Sequence, residues 1–145
     1  MIKQFIYMII MAIIFSLWEI QIEGGDGGWA RHLPTFRINV FFNKLLGGKP
    51  LTGYHIYLLL FMTIVFHGLF SDELYTYHTT MKAIGLMSLF FVLEDFLWFV
   101  FNKHYTFKHF KQGHISWHNR WALGLPITYW WGMIIGTGLL ILGGK

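Results

Sequence analysis

The sequence predicts an all-α integral membrane protein, a bundle of four transmembrane helices with a short interfacial amphipathic helix in its first long loop. Three observations predict it. The 145 residues are 55% hydrophobic and 20% aromatic but only 12% charged, with mean hydropathy +0.50, whereas soluble domains carry about 25% charged residues. Four apolar runs approach the roughly 20 residues that a helix needs to cross a bilayer at 1.5 Å per residue. Eight of the eleven Lys and Arg residues fall in two loops that such an arrangement places on one side. The length suits a single domain, residues 1–145.

The first span covers residues 4–20, an apolar run bounded by Gln4 and Glu19. No small-residue cleavage pattern follows it, so it reads as a span and not as a signal peptide. The glycine-rich stretch 24–28 ends it. Pro34 is placed to open a new helix. Over residues 35–46, Ile38, Phe41, Phe42, Leu45 and Leu46 alternate with Arg37, Asn39, Asn43 and Lys44, the pattern of an amphipathic helix lying in the interface. Gly47-Gly48 closes it. The second span, 54–70, holds His55 and His67 but no Asp, Glu, Lys or Arg. The third, 83–102, carries Glu94 and Asp95 in an otherwise apolar run. The fourth, 121–142, is uncharged from Ala122 onward and opens near Pro126. Its Gly132, Gly136 and Gly138 suggest a face for close helix packing. No internal repeat is visible, so an inverted-repeat transporter finds no support.

Orientation follows from the basic residues. Residues 21–53 contain Arg31, Arg37, Lys44 and Lys49, and residues 102–121 contain Lys103, Lys108, Lys111 and Arg120. Lys3, Lys82 and Lys145 lie on the other side. The long loops are therefore expected in the cytoplasm and both termini opposite. The net charge of +4 sits in loops, which suits anionic headgroups better than nucleic acid. The absence of cysteine excludes disulfides, thiolate zinc sites, iron–sulfur clusters and a Cys nucleophile. Residues 24–28 are no phosphate loop, because no Gly-Lys-Ser/Thr follows them.

Glu94 and Asp95 are the sharpest functional signal. An ionisable side chain at membrane depth costs several kcal/mol and survives facing a bundle interior or a wet cavity. Adjacent helix positions are rotated by about 100°, so the two carboxyls point in different directions. One is placed for direct chemistry, as ligand or base, and the other for supporting a neighbour. The plain alternative is a buried ion pair with Arg31, Arg37 or Arg120. His114 and His118 form an HxxxH pair, which on a helix would stack two imidazoles for one metal. Alone that spacing is weak, and such histidines often face headgroups. Glu19 and His55 reach the same membrane face, so Glu19, His55, Glu94 or Asp95, and His114 plus His118 form the candidate metal set. No facing histidine pair is fixed for haem. Trp98 shares a face with Glu94 and is a candidate wall of the site.

An intramembrane carboxylate beside the His114–His118 pair resembles the integral-membrane fatty-acid hydroxylases and desaturases. Their cytoplasmic histidine boxes hold two metal ions. Only this one box matches, and the HxxHH type is absent. The resemblance implies metal chemistry on a lipid tail.

The leading expectation is thus a small membrane enzyme acting on a lipid-like substrate. A transition metal (iron, manganese or zinc) would sit at the cytoplasmic end of the bundle. Its ligands would be His114, His118, Glu94, Glu19 and His55, with Glu94 or Asp95 as catalytic groups. Arg31, Arg37 and Arg120, with Trp98, would hold the substrate, guanidinium groups matching a phosphate or carboxylate headgroup. Iron would favour oxidation and zinc hydrolysis. A proton or cation conduit built on the acidic pair, with homo-oligomerisation, is the alternative. A lipid-binding scaffold is the third.

Overall fold

The computed structural model describes residues 1–26, 28–39 and 49–145. Among these residues four α-helices follow one another: α1 (Ile2–Glu23), α2 (Gly53–Gly68), α3 (Tyr77–Phe101) and α4 (Ile127–Gly143). Two antiparallel hairpins of two-residue strands precede the even-numbered helices. The first pairs β1 (Arg37–Ile38) with β2 (Leu51–Thr52), and the second pairs β3 (Trp121–Ala122) with β4 (Leu125–Pro126).

Two helices, α1 and α3, are long and apolar enough to cross a membrane. The other two are shorter apolar helices, about 24 Å and 26 Å long at 1.5 Å per residue. Outer faces of three helices carry exposed apolar side chains, including Ile6, Ile10 and Ile14 on α1, Leu60 and Ile64 on α2, and Ile134 and Ile141 on α4.

Local chemistry moved the boundaries. Thr76 and Thr79 form a reciprocal capping box, so α3 starts at Tyr77, well before residue 83. Thr52 caps α2 by accepting from the His55 N–H. The expected start of the fourth helix at residue 121 is corrected to Ile127. Leu123 and Gly124 both take positive φ, 51° and 81°, the geometry of a tight hairpin turn, and residues 121–126 pair as strands instead. The amphipathic helix expected over 35–46 is also corrected in part. Residues 35–39 are not helical, because Arg37 and Ile38 pair with Thr52 and Leu51. Residues 40–46 lie outside the described residues.

Helix α3 is the hub, with α1, α2 and α4 each packed on it. Met8, Ala12 and Phe15 of α1, Met62 and Phe66 of α2, and Leu86 and Phe90 of α3 form the larger core. Close approach of α3 and α4 depends on glycines. A Cβ on Gly136 would stand 3.0 Å from the Gly85 carbonyl oxygen, and one on Gly132 would stand 2.4 Å from Val92 Cγ2. Gly138, expected on the same face, has nothing within 4 Å of such a Cβ, so it faces away from that contact. The C-terminal ends of α1 and α3 and the N-terminal ends of α2 and α4 gather at one end of the bundle. There Tyr54 bonds Glu19, Asn102 bonds Gly25, and Tyr129 bonds Asp95.

Candidate functional site

At that gathered end a cavity of about 190 Å³ is lined by Glu19 and Glu23 of α1, His55 and Leu58 of α2, and Phe91, Glu94, Asp95 and Trp98 of α3. Gly28, Trp29 and Trp117 from the loops complete its wall. Four carboxyl groups thus converge where the helices meet. Among the described residues, no Lys or Arg forms a salt bridge with any of them.

Each acid has a different partner. Glu23 is buried and accepts a short hydrogen bond from the Ala30 N–H. This bond holds a turn in which Trp29 and Ala30 both take positive φ, 56° and 53°, a conformation disfavoured for residues with a Cβ. The Trp29 indole donates to the Pro50 carbonyl at 2.8 Å, and its ring stacks on His55 with centroids 4.4 Å apart. Glu19 Oε1 accepts from the Tyr54 hydroxyl at 3.1 Å, and its carboxyl lines the same cavity as that of Glu94. Two carboxyls so placed repel unless a proton or a cation lies between them. Among the described residues Glu94 Oε1 is buried without a hydrogen-bond partner, as is Trp98 Nε1 one turn further along α3.

Asp95 is turned away from this group. Its Oδ2 lies 2.9 Å from His118 Nε2 and accepts a short hydrogen bond from the Tyr129 hydroxyl. Asp95, His118 and Tyr129 all line a second cavity of about 310 Å³ between α3 and α4. Its other walls include Ser88, Val92, Thr128 and Gly132. The two cavities share Trp29, Phe91, Asp95 and Trp117. Below the shared wall sits a second core of Trp98, Phe99, Ile115 and Trp117. Tyr105 packs against Trp98 and Trp117 there. Burial pushes its phenol above the ordinary value, with Arg31 pulling the other way.

The expected metal set does not come together as a group. Residues 113–120 fold as turns, with Gly113 at φ 85°, so His114 and His118 are not stacked on a helix. His114 is exposed, its ring centroid 6.0 Å from that of His109. The His55 Nδ1 is taken by Thr52 Oγ1 at 2.6 Å. Among the described residues no group of three or more His, Asp and Glu side chains is arranged to hold a metal ion. The arginines are also apart from the acids. Arg31 and Arg120 are exposed, and Arg37 donates to the carbonyls of Thr35, Ala30 and Arg31. Glu19, His55, Glu94, Asp95 and Trp98 do share one cavity.

Sequence reasoning missed Tyr129 as a partner of Asp95 and Trp29 as a wall. It also missed Asn102, which ends α3 and whose side chain ties that end to the loop after α1. Asn102 Nδ2 donates to Gly25 O at 3.0 Å, and Oδ1 accepts from the backbone N–H groups of His104 and Tyr105. Nothing in the sequence pointed Tyr129 at Asp95. No known family model, curated protein or solved structure matches this chain.

Proposed function

We propose that this chain is a four-span membrane enzyme that performs acid–base chemistry on a lipid-like substrate, at the bundle end where the carboxyls gather. The observation that carries the reading is the Asp95–His118–Tyr129 set at the wall of an apolar cavity. An apolar pocket with a few convergent polar groups is the usual form of a small-molecule site. A carboxylate that orients an imidazole, itself beside a hydroxyl, is a usual form of proton-transferring machinery. The substrate chain would lie between α3 and α4, and protons would move through Asp95, His118 and Tyr129. The exposed apolar faces of α1, α2 and α4 support placement in a bilayer. Basic-residue bias supports cytoplasmic long loops.

A proton or cation conduit is the second reading, favoured by the gathering of the Glu19 and Glu94 carboxyls in one cavity. It has less behind it. Between these acids and His67, the bundle is filled by Met62, Phe66, Leu86 and Phe90, each at most 1% exposed.

The enzyme reading is tested by lipid mass spectrometry of cells overproducing the chain, its Asp95→Asn variant or its His118→Ala variant. The intact chain should shift one lipid class, and neither variant should, although both extract as helical bundles. Identical lipid profiles for the chain and both variants, with no turnover of extracted lipids by the purified protein, would overturn it.

A further inference from the structure

The acidic cavity holds two buried polar atoms that none of the described residues satisfies. Glu94 and Trp98 are 5% and 4% exposed, both line the cavity, and Glu94 Oε1 and Trp98 Nε1 have no hydrogen-bond partner among the described residues. One is an acceptor and the other can only donate. Leaving either buried and unpaired is unfavourable, so a ligand that satisfies both regains that free energy on binding.

The surroundings restrict that ligand. Four carboxyls around the cavity repel an anion. The rings of Trp29, Trp98 and Trp117 offer faces that attract a cation through the ring quadrupole. A bare metal ion would meet Glu94 but would face the indole N–H with the wrong sign, and among the described residues no group of three ligands is arranged to hold it. An organic ammonium group satisfies the carboxyls and the aromatic faces together. An oxygen next to it is needed to accept from Trp98 Nε1. The adjoining apolar cavity shares Trp29, Phe91, Asp95 and Trp117 with this one, so a hydrocarbon chain attached to the ligand has a place to lie.

We infer that the acidic cavity binds the ammonium and hydroxyl groups of a long-chain amino alcohol, whose tail occupies the apolar cavity between α3 and α4. This names the substrate class of the activity proposed above and rests on that reading for its catalytic meaning. Asp95 stands at the junction of the two cavities, so its His118 and Tyr129 partners border the head end of the chain.

The test is equilibrium binding to the full-length chain in lipid nanodiscs, with sphinganine, a saturated long-chain amino alcohol, as the probe. Octadecanol, octadecylamine, free ethanolamine and magnesium serve as comparisons. Saturable binding of sphinganine is expected, with octadecanol at least about tenfold weaker, the ratio that corresponds to 1.4 kcal/mol. Ethanolamine should compete only weakly, since it lacks the tail; equal competition would show a free amine site and overturn the long-chain assignment. Glu94→Gln and Glu19→Gln should each weaken sphinganine and octadecylamine alike. Trp98→Phe should weaken sphinganine more than octadecylamine, because only the former presents a hydroxyl to the indole. Octadecanol binding as tightly as sphinganine, or unchanged affinity in both carboxyl variants, would overturn the inference. So would displacement of sphinganine by stoichiometric magnesium. Failure of binding while the Asp95-dependent lipid change persists defeats this inference alone. Glu94-dependent binding without any lipid turnover defeats the enzyme reading alone.

Discussion

Adjacent on one helix, Glu94 and Asp95 belong to different neighbourhoods. The rotation of about 100° between successive helix positions sends Glu94 towards Glu19 and Asp95 towards His118 and Tyr129. Asp95 has its donors within the fold, whereas Glu94 Oε1 has none among the described residues. A carboxyl with fixed partners is positioned, and one without them is available to a ligand. Glu23 is a third case, since its partner is the backbone. It accepts from the N–H of Ala30, a residue of zero exposure in a left-handed turn. Glu23→Ala leaves that N–H buried and unpaired, a loss of about 1–3 kcal/mol. Glu23→Gln keeps an acceptor oxygen and should lose clearly less. Unfolding of the bundle by SDS titration in mixed micelles measures both, and equal stability of the two variants would show that the bond to Ala30 does not hold the turn.

Helix contacts account for the next level, and the glycines of α4 separate packing from mere composition. Gly136→Ala places a methyl 3.0 Å from the Gly85 carbonyl and 2.9 Å from Leu89. Forcing α3 and α4 apart in this way should destabilise the bundle by roughly 1–3 kcal/mol. Gly138→Ala meets nothing within 4 Å and removes a helix-interior glycine, so it should be neutral or stabilising by up to about 1 kcal/mol. The same SDS titration reads both. Matching gains would mean that helix propensity, not the α3–α4 contact, sets the stability. This pair also shows what was legible in the sequence. The four-residue spacing of Gly132 and Gly136 pointed to a packing face because helical periodicity is a local property. Gly138 was grouped with them because only the partner helix reveals which side is contacted. Helix centres were legible from apolar composition, while helix starts depended on Thr76 capping and on the turn at Leu123-Gly124. Of the site, the buried acids were legible because their cost in an apolar run is a matter of composition. The direction of His118 was not, because the HxxxH spacing carries meaning only on a helix and residues 113–120 form turns.

For the molecule as a whole, the connections between helices constrain the topology more tightly than helix lengths do. Helices α1 and α3 run in the same sense, since their C-terminal ends are joined through Asn102 and Gly25. The N-terminal end of α2 lies beside the C-terminal end of α1, where Tyr54 donates to Glu19. The opposite end of α2 is close to the start of α1, where Gln4 reaches Leu69. If α1 and α3 both cross a bilayer, α2 must carry the chain back between them, although its length of about 24 Å is less than the roughly 30 Å hydrocarbon core. Local thinning of the bilayer accommodates a deficit of this size at modest cost. Helix α4 returns in the same way, its C-terminal end meeting the start of α3 where His78 lies 3.3 Å from the Leu142 carbonyl. The prediction is that Lys82 and Lys108 lie on opposite sides of the membrane, with Lys108 in the cytoplasm. The absence of cysteine makes this directly measurable. Lys82→Cys and Lys108→Cys each provide a single thiol, and a membrane-impermeant maleimide applied to intact cells should label the first alone. The second should label only after permeabilisation. Labelling of both from one side would place α3 on the membrane surface or within a soluble bundle, and the exposed apolar faces of α1, α2 and α4 would then have to be covered by protein.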